Sequence, residues 1–189
     1  MSPLPIVSEA VSLFEKPINK RVLDIGVGSG RNALFLAKVG FKVDAIDRSS
    51  RAIEEINQYS KKHSLSIRGK VLDMQNSIPQ LINYDLILLT QVLHYLTTHR
   101  AIQIISHAQE KSHKGVVHVV AALTNVGDFS KLHLAEKYFY PNPSEIKKMY
   151  FNSAWRIHVE YQNEMSMRQL NNAGVPMRNS VSFLIAQRL

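Results

Sequence analysis

Short apolar runs and helical stripes alternate along this chain. Val22-Leu23-Asp24-Ile25 is a nearly continuous apolar run stopped at once by Gly26, Gly28 and Gly30, and it reads as a buried strand entering a glycine turn. Ala33, Leu34, Leu36, Ala37 and Val39 then recur at helical spacing until Gly40, and Phe41 to Asp47 reads as a second strand, completing a βαβ unit. Ser49 to His63 carries Ala52, Ile53, Ile56 and Tyr59 on one face, with a serine able to cap its start. Leu65 to Leu72 is a weaker strand. Tyr84 to Thr90 is the most hydrophobic strand and is expected at the centre of a sheet, beside the first. Leu93-His94-Tyr95-Leu96 reads as the start of a helix, Ala101 to Lys111 as a helix, and Val116 to Leu123 as a fifth strand.

Strands alternating with helices specify an α/β fold with a doubly wound, mostly parallel sheet. Before it, Ile6, Val7, Ala10, Val11, Leu13 and Phe14 form a stripe that ends ahead of Pro17, so residues 1–16 supply a packing or lid helix. After it, Thr124 to Tyr140 is polar and irregular, and Ser144 is placed to cap a helix from Glu145 to Phe151. Residues 124–145 therefore read either as a flap over a substrate or as an ordinary crossover loop. Trp155 to Tyr161 alternates like an edge strand, and Val181 to Ala186 reads as a last strand antiparallel to the rest. Between them Asn163 to Ser180 is long and polar and carries Arg168 and Arg178. The expected architecture is a single domain, 1–189, around a seven-stranded Rossmann-like sheet.

Composition narrows the chemistry. A chain of 189 residues, 45% of them hydrophobic, suits one soluble globular domain. The absence of cysteine excludes disulfides, thiolate metal sites and a catalytic thiol. No basic start precedes an apolar run and no segment reaches the roughly 18 apolar residues of a membrane helix, so no membrane partner is expected and a cytoplasmic location follows by default. The net charge of +8 is spread along the chain without a run of like charges, which favours a solvated surface that gathers small anions over a nucleic-acid partner. The other histidines, His118 among them, show no metal-ligand spacing and are assigned to surface or sheet.

The glycine turn carries the chemistry. Glycines let the backbone approach a ligand closely, and the helix after them points free N–H groups at the same crevice. Asp47 ends the second strand about 20 residues on, where its carboxylate can accept both hydroxyl hydrogens of a ribose. A dinucleotide fingerprint would need a third glycine at position 31, which is Arg31. What stands instead is Asp-x-Gly-x-Gly-x-Gly, with Asp24 able to face an ammonium group. This resembles motif I of the class I S-adenosyl-L-methionine-dependent methyltransferases, which implies a Rossmann-like methyltransferase fold and that cofactor. The cofactor-side candidates are Asp24, Gly26, Gly28, Gly30, Asp47, Arg48, Asp73, Met74, Thr90 and Gln91. Asp73 is placed for the adenine amino group, or else is a turn aspartate bonding its own backbone.

Further residues resemble a narrower family. GSGRNALFLAKVGFKVDAID, the Asp73-Met74 step, YDLILLTQVLHYL, Phe139-Tyr140-Pro141 before a Glu-led helix, and the closing SFLIAQR together are similar to the bacterial tellurite-resistance methyltransferases. That resemblance implies methyl transfer to tellurite and selenium species, an anionic or soft small-molecule acceptor needing no general base. Arg31, His94, Tyr140, Arg168 and Arg178 are the candidates for the substrate side. The family's histidine before the last strand is missing from Glu164-Met165-Ser166-Met167-Arg168. An RNA methyltransferase and a catalytically silent S-adenosylmethionine-binding protein are the alternatives, and the chain is expected to be a monomer or homodimer.

Overall fold

The computed structural model describes residues 2–132 and 137–189, the side chains of Leu132 and Arg168 apart. Its elements run α1 (Pro5–Val11), β1 (Arg21–Ile25), α2 (Arg31–Lys38), β2 (Lys42–Asp47), α3 (Ser50–Lys62), β3 (Ile67–Val71) and β4 (Leu86–Thr90). They continue with α4 (Thr98–Lys111), β5 (Val117–Gly127), α5 (Asp128–Leu132), α6 (Glu145–Tyr150), β6 (Trp155–Leu170) and β7 (Pro176–Arg188). The strands form one seven-stranded sheet in the order β3-β2-β1-β4-β5-β7-β6. β1 to β5 pair in parallel, and β7 runs antiparallel to both β5 and β6, so β6 lies at the edge as its alternation suggested.

Both faces are covered, which is why the central strands are largely apolar and buried along most of their length. Leu86 and Leu88 point into one apolar cluster with Ile6 and Val7 of α1, Ala33 and Leu36 of α2. Ile87 and Leu89 point into the other, with Ala101, Ile104, Ile105 and Ala108 of α4 and Ile146 and Tyr150 of α6. Ser49 caps α3 by accepting from the Ala52 N–H at 3.2 Å. Among the described residues no helix is long and apolar enough to cross a membrane.

Four local expectations change. Leu93–Tyr95 makes a 3₁₀ turn rather than starting a helix: Leu96 is extended behind it, and α4 begins only after Thr97, whose hydroxyl accepts from the Arg100 N–H. Ser144 precedes α6 without bonding it through its side chain; Glu145 instead accepts from the Asn142 N–H at 2.9 Å. Thr124 to Gly127 prolongs β5 and Asp128–Leu132 is helical, so only part of 124–140 is irregular; residues 133–136 lie outside those described. Asn163 to Ser180 is no irregular connection, since β6 and β7 run on through most of it as a hairpin closed around Asn171 and Gly174.

One buried polar chain locks α4, β5 and α6 together. The Ser112 hydroxyl donates to the Ala108 carbonyl at 2.7 Å, so it accepts from His118 Nε2–H at 2.8 Å, and His118 Nδ1 accepts from the Tyr150 hydroxyl at 2.9 Å. Burial pushes the His118 imidazole down to about 3, and His118 stays neutral. A histidine depressed in this way contributes stability above its unfolded pKa near 6.5 that is lost as pH falls towards about 3. Tyr150→Phe leaves Nδ1 without its donor and is expected to cost about 1–3 kcal/mol, lowering the thermal midpoint by roughly 3–8 °C in a scanning denaturation at neutral pH.

Candidate functional site

The carboxyl ends of the parallel strands open into a cleft of about 630 Å³, and the sheet order divides its lining. Over β1, β2 and β3 lie Gly26, Gly28, Asp47, Arg48, Asp73 and Met74; over β4, β5 and the β6–β7 hairpin lie a different set of groups.

On the first side, the Gly26 and Val27 N–H groups donate to the Ile46 carbonyl at 2.8 and 3.0 Å, tying the glycine turn to β2. Asp47 then pins the turn from its other end, accepting from the Gly28 N–H and the Ser49 N–H, both at 2.9 Å. A Cβ built on Gly28 would find no atom nearer than the Gly26 carbonyl at 3.9 Å, so its bare Cα leaves room for a ligand to approach. Gly30 has a different task and does not border the cleft: a Cβ there would meet Ile56 Cδ1 at 2.5 Å, so it serves the packing of α2 on α3. Arg48 lies over the Tyr95 ring at 5.6 Å. Asp73 borders the cleft while its carboxylate accepts from the Gln75 N–H at 2.9 Å and the Asn76 amide at 2.8 Å, the geometry of a turn aspartate. Met74 beside it is buried and its carbonyl accepts from Arg100 at 2.7 Å.

Asp24 sits under this floor rather than at the mouth of its strand. It is 1% exposed, does not itself border the cleft, and neither carboxylate oxygen has a hydrogen-bond partner among the described residues. Burial pushes the carboxyl up to about 7; the Ala33 amide eases its ionisation without reaching hydrogen-bond geometry, the Asp47 charge opposes it, and Arg31 favours it.

The second side is built around the end of β4. Asn32, 5% exposed in the first turn of α2, donates to the Thr90 hydroxyl at 3.0 Å and accepts from the Leu4 N–H at 3.0 Å. It thereby holds the N-terminal segment, whose Ser2 borders the cleft, against β4. Gln91 has a left-handed backbone, φ 54°, an uncommon conformation for this residue type, and its N–H donates to the Ala121 carbonyl at 2.7 Å. Its side chain accepts from Arg31 at 2.6 Å and donates to the Met165 sulfur at 3.4 Å, crossing from α2 to the hairpin. His94 is buried, borders the cleft, and packs against Tyr95 and, at 6.0 Å, Phe129.

Of the remaining substrate candidates, Tyr140 and Arg178 are not brought in. Tyr140 is buried behind His94, ring centroids 6.0 Å apart, outside the cleft lining, and burial pushes its phenol up to about 12. Arg178 turns to the exposed side of the hairpin and pairs with Glu164 at 2.8 Å. The Arg168 side chain lies outside the described residues. From the expected flap, 124–145, Phe129 reaches the lining. Residues not anticipated as site groups include Ser2, Asn32, Phe129, Met165, Met167 and Gln169. Asn32 was legible as a polar side chain in the first turn of a buried helix, and the hairpin through the turn residues Asn171 and Gly174.

A family model described as Tellurite resistance protein TehB matches residues 4–179. The chain belongs to the TehB family. It is 32% identical over 108 residues to the probable S-adenosyl-L-methionine-dependent methyltransferase TehB of Haemophilus influenzae strain 10810, an alignment covering 57% of this chain and 37% of that relative. The crystal structure of TehB from Haemophilus influenzae superposes with a TM-score of 0.84 at 23% identity, over 99% of this chain and 63% of that one. A SAM-dependent methyltransferase structure from Methanosarcina mazei gives 0.72 at 17% identity over 100% and 99%. These structural likenesses show the shared fold. The chain aligns with little more than a third of the length of its curated TehB relative, and with about two thirds of the crystallised TehB.

Proposed function

We propose that this TehB-family chain is an S-adenosylmethionine-dependent methyltransferase whose acceptor is a small, soft, anionic nucleophile, with tellurium and selenium oxyanions foremost. The observation that carries the reading is the division of the cleft. Among the described residues, one half has a bare glycine backbone, two carboxylates on its rim and beneath it a buried carboxylate without a hydrogen bond, while the other half is lined by one cation, Arg31, and by no carboxylate. The first half fits the cofactor: Asp24 for its ammonium group, Gly26 and Gly28 for its amino-acid end, Asp47 for the ribose, Asp73 and Met74 for the adenine.

S-adenosylmethionine, when bound, supplies a methyl group on a cationic sulfur that leaves with the carbon–sulfur electrons as the acceptor's lone pair forms the new bond to carbon. The chain's own contribution is then positioning. Arg31, steadied by Gln91, offers positive charge to an anionic acceptor. Phe129 and the buried His94 limit water, and His94 can accept a proton where an acceptor carries one. A chalcogen lone pair asks for no such base, which suits a half-cleft without a carboxylate.

The test is transfer of labelled methyl from S-adenosylmethionine to tellurite, selenite, small thiols and total RNA in parallel, with product sought in solution and headspace. Label in the tellurite or selenite product is the expected result. Label in RNA alone, or in nothing despite cofactor binding, contradicts it.

A further inference from the structure

β6 departs from regular pairing where it passes the cleft. Ser166 pairs with Arg178 and Leu170 with Pro176, so residues 167–169 of β6 face Met177 alone on β7. Such a bulge re-aims side chains. Met165, Met167 and Gln169, alternate residues of one strand side, border the cleft, and Ser166 between them borders it as well. Met165 and Met167 are half-buried and also pack against the core cluster, and Met165 is held by the Gln91 amide at 3.4 Å. Gln91 in turn accepts from Arg31, so a cation and the Met165 thioether are joined through one strained residue, with Met167 two positions further along the strand. Thioethers are polarizable and weakly hydrated, and they meet a soft atom with little loss of solvation on either side.

We propose that the bulged strand is the acceptor-selecting wall of the cleft, with Met165 and Met167 contacting a soft chalcogen centre and Gln91 holding the wall in register with Arg31. The inference rests on the reading of the cleft as a methyltransferase site. It makes the hairpin, rather than the 124–145 segment, the element that selects the acceptor.

Selenocyanate and cyanate are linear monoanions that differ in one terminal atom, and they separate softness from charge and shape. Calorimetric titration of the chain saturated with S-adenosylhomocysteine is expected to show selenocyanate bound about tenfold tighter than cyanate. Met165→Leu with Met167→Leu conserves volume and apolarity, and the double variant is expected to lose that preference while its S-adenosylhomocysteine affinity and thermal midpoint stay close to wild type. A preference absent from the wild type, or retained in the double variant, overturns the proposal. So does a parallel loss of S-adenosylhomocysteine affinity, which would put the thioethers on the cofactor. A selenium preference that follows the methionines in a chain that transfers no methyl group upholds the wall and overturns the catalytic reading instead.

Discussion

Asp47→Ala is expected to lower S-adenosylmethionine affinity by about 10²-fold or more, the effect of losing two charge-assisted hydrogen bonds to a ribose diol. The carboxylate does two jobs. It already accepts from the Gly28 and Ser49 N–H groups at 2.9 Å, and an ionised carboxylate has about four acceptor positions, so two remain for hydroxyl donors. Alanine removes both the ribose partner and the pin that holds the glycine turn to β2. Asp47→Asn keeps an acceptor for the Gly28 N–H but carries no charge, and its affinity should fall between the two. Equilibrium dialysis with labelled cofactor measures all three, and wild-type affinity in Asp47→Ala would remove the ribose from this end of the cleft.

The second large effect is pH-dependent. Asp24 is ionised only at a cost, because burial and then the Asp47 charge hold its carboxyl up to about 7. The sign follows: between its unfolded pKa near 3.8 and about 7 the folded state binds more protons than the unfolded, so this group lowers stability as pH rises, in full above 7. About three pKa units correspond to an upper limit on the order of 4 kcal/mol. Asp24→Asn is therefore expected to raise the thermal midpoint of the ligand-free chain most at about pH 8 and by progressively less as pH falls towards about 4. Its effect on the cofactor is opposite. An ammonium group beside Asp24 favours the ionised carboxylate, so wild-type affinity should rise as pH passes through 7, with a proton released on binding below it. The variant should bind about 10²-fold more weakly, without pH dependence or proton release, as read by calorimetry in buffers of different ionisation enthalpy. Tight, proton-releasing binding by Asp24→Asn would contradict the assignment.

Much of this was legible in the chain itself, and for identifiable reasons. Strands β1, β2, β4 and β5 are covered on both faces, so Val22, Leu23 and Ile25 and the run Leu86 to Leu89 are apolar and stood out. The glycine turn is spaced by the backbone's need to pass close to a ligand and to Ile46, and that need leaves a pattern. The far half of the cleft left little beyond Asn32 and the turn residues Asn171 and Gly174. Gln162 to Glu164, just past the alternating stretch, is exposed along its length and is held by pairing to β7 rather than by burial, so no alternation marked it as strand. Met165 and Met167 looked like any methionines in a polar segment, because a bulge is a property of two strands in register and not of one stretch of sequence. Arg178 was chosen for its charge and turned out to pair with Glu164, a contact that only the hairpin's register decides. Asp24 was read as an acid beside the turn, but its depth below the cleft was not, since the pattern does not tell where a strand ends and the cleft begins.

The most direct test of the account is a crystal structure of the chain with S-adenosylhomocysteine. The account predicts the amino-acid end over Gly26 and Gly28 with its ammonium group towards Asp24, the ribose on Asp47, the adenine against Asp73 and Met74, and open space between the sulfur and Met165. A ligand bound elsewhere, or one whose sulfur faces away from the hairpin, would contradict it.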